Sequence, residues 1–109
     1  GAPSAAEADA ALAQASAAFD AADFDQTLAA STRAQHLLGG AARSDDDRRR
    51  LARSHLLAGM AQVALGKEAE ARASFRQALA HDAAIELDPA RVSPKVIGTF
   101  QEARGEAPE

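Results

Sequence analysis

Residues 51–82 carry the pattern that most restricts the fold. Leu51, Leu56, Leu57, Met60, Val63, Ala64 and Leu65 recur at helical spacing around a central Gly59, and Leu65-Gly66-Lys67 interrupts them. Ala71, Phe75, Ala78 and Leu79 then resume the same period. Two helices folded back on each other satisfy this pattern. The apolar residues of the first helix are too many for one contact face, so it must touch neighbours on both sides. A glycine in mid-helix costs about 1 kcal/mol relative to alanine, which Gly59 repays if another backbone comes close there. Ala71 and Ala78 allow that approach from the partner helix, and Phe75 fills the wedge between them.

Composition carries the same conclusion to the whole chain. Alanine fills 31 of the 109 positions, whereas there are four Phe and no Trp or Tyr. Alanine-rich cores bring helices close together and give little to strands, which depend on β-branched and aromatic side chains; an all-α fold follows. With 47% hydrophobic residues and a net charge of -4, a chain of this length forms one domain that buries roughly two thirds of its unfolded surface. The absence of cysteine excludes disulfides, thiol catalysis and thiolate metal sites and leaves the redox compartment open. No apolar run approaches the roughly 18 residues of a membrane span. Ten arginines to two lysines, with the alanine excess, point to a GC-rich bacterial genome. The start Gly1-Ala2-Pro3-Ser4 reads as that of an excised or processed segment, and the Gly105-Glu106-Ala107-Pro108-Glu109 ending as one that more chain follows.

Five helices are expected. Ser4 and Glu7, spaced as a capping box, open the first, which runs to about Ala21 with Leu12, Ala15 and Phe19 on one thin stripe. Asp23 caps the second, about 24–38, with Gln26 at its third position. That helix presents Phe24, Leu28, Ser31, Ala34 and Leu38, with Leu37 beside them, and Gly39-Gly40 ends it. After a loop over 39–44, Ser44 caps a long third helix whose first turn holds Asp45-Asp46-Asp47 at the positive end of the helix dipole. Arg48-Arg49-Arg50 follows in register to pair with these aspartates. A phosphate-binding patch is the competing reading of the arginines, but the adjacent carboxylates cancel their field. Gly66 ends the third helix, and the fourth spans about 67–83. Ile85 to Pro89 is semi-extended, since the residue before a proline avoids helix. Ser93-Pro94 starts a fifth helix, about 94–104, offering Val96, Ile97, Phe100 and Ala103.

Residues 52–85 resemble the tetratricopeptide repeat, a 34-residue helix pair. Ala58-Gly59 stands at the family's Leu-Gly positions, Gly66 at its turn, Ala71 and Phe75 at spacing four, and Ala78 three further on. His55, Gln62 and Ala83 depart from the tryptophan, aromatic and proline expected there. A degenerate second copy fits residues 8–41 at an offset of 44. It puts Ala15 at the glycine position, Ala22-Asp23-Phe24 at the turn, Thr27 and Ser31 at the inward alanine and aromatic positions, and Ala34 at the later alanine. Leu87-Asp88-Pro89 with Ser93-Pro94-Lys95-Val96 and Phe100 resembles the closing segment of such modules in bacterial, often envelope-associated, proteins, where it forms a capping helix. The resemblance therefore implies two antiparallel helix pairs plus a capping helix in a single domain over 1–109, with a periplasmic or envelope location favoured over a cytoplasmic one.

Catalytic signatures are missing. His36, His55 and His81 stand on different helices without a metal-ligand partner on the same face, and read as solvated or core-edge residues. The serines sit at caps or on alanine faces, outside any Gly-x-Ser-x-Gly elbow, and Gly39-Gly40 lacks a phosphate-binding lysine. We expect a non-enzymatic module with no catalytic, metal or cofactor residues. In tetratricopeptide stacks the first helix of each pair lines an inner groove. The resemblance assigns to that groove Asp9, Leu12, Ser16, Phe19 and Asp20 from the first copy, and Arg53, Leu56, Met60 and Val63 from the second. Leu12, Phe19, Arg53, Leu56, Met60 and Val63 are thus the candidate partner-binding residues. With a single arginine, the groove suits an apolar peptide or amphipathic helix better than a peptide carboxylate. The expected partner is a protein or peptide, or another copy of the chain; nucleic acid and direct membrane insertion are not expected. The alternative is that these apolar residues are core, or that the last helix fills the groove, leaving a structural or oligomerisation spacer in a larger envelope protein.

Overall fold

A computed structural model describes residues 2–39 and 44–106, and contains five helices: α1 (Ala2–Asp20), α2 (Phe24–Leu37), α3 (Asp45–Ala64), α4 (Glu68–His81) and α5 (Pro94–Glu106). No described residue is in a strand. The caps follow the sequence: Asp23 accepts from the Gln26 amide, Ser44 from the Asp47 amide and Ser93 from the Val96 amide. The start of α1 does not. The helix begins at Ala2, two residues ahead of the expected Ser4 cap, with Pro3 in the first turn, where its missing N–H has no partner to lose. Gly40, and with it most of the 39–44 loop, lies outside the described residues, as does Ala41 at the end of the first copy.

Central to the packing is α3, which contacts all four other helices. Leu51, Ala52, Ser54, Leu56, Leu57, Ala58, Gly59, Met60, Ala61 and Val63 are all buried, the expected consequence of an apolar surface too wide for one face. In α2 the expected face is met at Ser31 and Ala34 but not at its large residues. Thr27, Ala30, Ser31 and Ala34 are buried, whereas Phe24, Leu28, Leu37 and Leu38 are only partly so. Small side chains let α2 approach its neighbours, and the larger ones are displaced to the margins of the contact.

The hairpins α1/α2 and α3/α4 share one geometry at the offset of 44. In the first, the Asp23 amide donates to the Ala18 carbonyl (2.8 Å) and that of Ala22 to Phe19 (2.9 Å). In the second, Lys67 donates to Gln62 (2.8 Å) and Gly66 to Val63 (3.0 Å). Both are Schellman turns. Each places its pivotal residue in the left-handed region, Gly66 at φ 80° and Ala22 at φ 60°. The inward triads Thr27, Ser31, Ala34 and Ala71, Phe75, Ala78 are all completely buried. Gly59 is explained differently from expectation: the group that comes close is not backbone but the Phe75 ring, which a Cβ at Gly59 would meet at 2.5 Å.

Candidate functional site

Between α4 and α5, residues 82–93 cross the domain as a non-helical strap. Two turns shape it. Asp82 Oδ1 accepts from the Ala84 amide and the Asp82 carbonyl from Ile85; Asp88 Oδ1 accepts from Ala90 and the Asp88 carbonyl from Arg91. Between the turns Ile85 to Asp88 has no regular secondary structure, and the proline at 89 biases Asp88 away from helix. Ile85, Leu87 and Val92 pack against the core. Arg104 of α5 donates to the Ile85 carbonyl (2.7 Å) while its guanidinium lies 5.1 Å from the Phe100 ring centre.

The strap lies over the face that the repeat alignment assigns to the inner groove. Leu87, Asp88, Arg91 and Val92 share with Arg53, Leu56, Leu57 and Met60 of α3 a cavity of about 100 Å³. Farther on, Arg91 donates to both oxygens of Asp20 (2.7 and 2.8 Å) and to Ser16 Oγ (3.4 Å), bridging to α1. The Asp20 carboxylate raises the Arg91 pKa and holds its charge.

Of the two readings kept for these residues, groove or core, burial favours core for four of the six. Leu12, Leu56, Met60 and Val63 are 5–6% exposed and belong to the core. Phe19 is half-buried, its ring 5.6 Å from that of Phe24, and Arg53 alone of the six is exposed. It is the strap, not the last helix, that covers the space: α5 packs on α4 and the edge of α3 through Val96, Phe100 and Ala103. Sequence reasoning missed the strap because Ile85, Leu87 and Val92 have no helical period to reveal where they point.

A second feature lies between α2, α3 and α4. Leu28, Thr32, Gln35, His55, Gln62 and Ser74 border an open cavity of about 320 Å³. Gln35 Nε2 is 3.3 Å from His55 Nδ1, and Ser74 donates to Gln62 Oε1 (2.6 Å). The His55 and His81 rings stack with centres 5.7 Å apart. Burial, and secondarily the charge of His81, lowers the His55 pKa below 6.5. The histidine pair was legible in principle: like Gln62 and Ser74, the two are equidistant from Glu68 at the hairpin turn. Among the described residues no three His, Asp or Glu side chains converge as a metal ion needs, and no helix is long and apolar enough to cross a membrane.

The charged first turn of α3 is paired as the spacing predicts. Arg48 and Arg49 bond Asp45 and Asp46, and Arg50 reaches both Asp47 (3.0 Å) and Asp9 of α1 (2.8 Å). Comparison with known proteins finds no matching family model, no matching curated relative and no matching solved structure.

Proposed function

We propose that the chain is a tetratricopeptide-like, non-enzymatic scaffold that docks a non-helical apolar protein segment on the face formed by α1 and α3. The observation that carries this reading is the strap itself, a non-helical segment seated on that face through Leu87, Val92 and Arg91. A non-helical peptide is favoured over a partner helix because the resident occupant is non-helical. The equivalence of the two hairpins in turn bonding and buried triads supports the repeat resemblance. Selection from a random peptide library on the intact chain tests it. Enriched peptides should share an apolar, non-helical motif and shift NMR signals of Phe19, Arg53 and strap residues; enrichment of nothing, or binding mapped elsewhere, refutes it.

The second reading is a structural spacer with a permanently closed groove, favoured by the burial of Leu12, Leu56, Met60 and Val63. It requires that residues 85–92 open only with global unfolding. Self-association belongs to this reading as well, and a concentration series in size-exclusion chromatography detects it; a monomer throughout removes it.

A further inference from the structure

The strap's fastenings are unequal. Its first half is held by the Arg104 bond to the Ile85 carbonyl and by apolar contact with the core. Its second half is held by Val92 against the core and by Arg91, which is 44% exposed and whose partner Asp20 is 56% exposed. Exposed pairs of this kind are weak and salt-screened. The cavity left between strap and α3 is about three water molecules' share of volume. Leu56, Leu57, Met60, Leu87 and Val92 line its apolar side and Arg53, Glu86, Asp88 and Arg91 its charged rim, so the strap covers this face without filling it.

We infer that residues 85–92 are a resident ligand latched by the Arg91–Asp20 pair, and that the segment able to displace them has the strap's chemistry with a larger apolar side chain in place of Val92. Such a segment is non-helical, carries apolar residues two apart, as Ile85 and Leu87 are, and after a turn presents a basic residue four positions beyond the second, as Arg91 is. The inference rests on the docking reading above. Its energetic basis is competition: the strap has the advantage of being tethered, and the incoming segment gains from filling the unfilled cavity.

Hydrogen exchange on the intact chain tests the latch without any partner. Arg91→Gln should speed exchange of the amides of residues 90–92 by about two- to fivefold, the range of an exposed pair, and leave those of α3 unchanged. High salt should do the same to the wild type and little to the variant. Asp20→Arg should loosen the strap similarly, and combining it with Arg91→Asp should restore protection. Unchanged exchange in Arg91→Gln overturns the latch, as does a double swap no better protected than either single variant. A labelled peptide with the sequence of residues 83–93, and its Val92→Phe form, then tests the displacing segment. Tighter binding of the Phe form, strengthened by Arg91→Gln, is expected; equal binding of the two forms overturns the assigned chemistry. A loosened strap with no peptide bound would keep the latch and defeat the docking reading and the displacing segment that rests on it.

Discussion

Replacing Gly59 with alanine should destabilise the domain, although the same change in an ordinary helix interior stabilises by about 1 kcal/mol. The added methyl carbon would lie 2.5, 2.6 and 2.9 Å from three carbons of the Phe75 ring, where carbon pairs prefer about 3.5–4.0 Å. Relief requires the ring to move by about 1 Å. It has little room to do so, being fully buried and set edge-on to Phe100 with centres 5.4 Å apart. Overpacking a close-packed core costs about 1–3 kcal/mol, and this overlap belongs at the upper end. After subtracting the helix-propensity gain, a net loss of about 2 kcal/mol remains, a melting temperature lower by roughly 8 °C or more. Thermal and urea unfolding followed by circular dichroism measure it. Phe75→Leu supplies the control, since trimming the ring makes room for the methyl and the double variant should lose less than the two single losses combined. A Gly59→Ala protein as stable as the wild type would refute the close approach of Phe75 as the reason for glycine here.

The two turns give a matched pair of expectations. Ala22→Gly should stabilise by about 0.5–1 kcal/mol, because the left-handed conformation costs alanine about 1–2 kcal/mol and glycine's greater unfolded-state freedom returns part of that; Gly66→Ala should destabilise by a similar amount, and urea midpoints report both. Ser31 Oγ is buried without a hydrogen-bond partner among the described residues, so Ser31→Ala should raise stability by about 1 kcal/mol by removing an unmet hydroxyl; a loss of stability would show that the hydroxyl is satisfied in solution. Stability should fall as pH drops below 6.5. His55 is held below that value in the folded state, so the unfolded chain takes up the proton first. The contribution is fully present above pH 6.5 and declines towards the lowered folded value. His55→Gln should flatten this part of a pH series of unfolding midpoints, and an unchanged slope counts against the assignment.

Helix number, the three side-chain caps and the hairpin register are legible in the sequence because each depends on local chemistry: a hydroxyl or carboxylate before a helix, a glycine after one, a period of 3.6. The buried face of α2 was harder. Ranking side chains by hydrophobicity points to Phe24, Leu28 and Leu38, yet close helix approach selects Thr27, Ser31 and Ala34. Alignment of the copies does identify those three, because it reads positions instead of hydrophobicity. What covers the candidate groove was hard to read for a different reason. Assigning Leu56 and Met60 to an inner surface gives their direction and says nothing of what covers them. The covering segment lies some thirty residues along the chain, and its seat depends on Arg91 meeting Asp20 across a sequence distance of 71. No local pattern encodes that meeting.

The two hairpins differ less in backbone than in what fills the shared frame. Gly59 and Phe75 occupy the positions that Ala15 and Ser31 hold in the first copy, so the large side chain and the missing one go together. Phe75 is long enough to reach beyond its own hairpin, and its edge-on contact with Phe100 ties α4 to α5. The Lys95–Glu68 ion pair (2.8 Å) and the wider Arg72–Glu102 pair (4.0 Å) join the same helices at the surface. Ser31 has no such reach. The first hairpin joins the shared core through small side chains and Leu12, with charged contacts from elsewhere, Arg50 to Asp9 and Arg91 to Asp20, added at its surface. Aromatic burial is insensitive to salt whereas exposed ion pairs are screened by it. Rising ionic strength therefore weakens the Arg91–Asp20 seat of the strap and the exposed Lys95–Glu68 pair alike, and leaves the Phe75–Phe100 contact in place. The face proposed for docking thus lies along the junction between a hairpin tied to α5 by an aromatic contact and one tied to the strap by a screened ion pair.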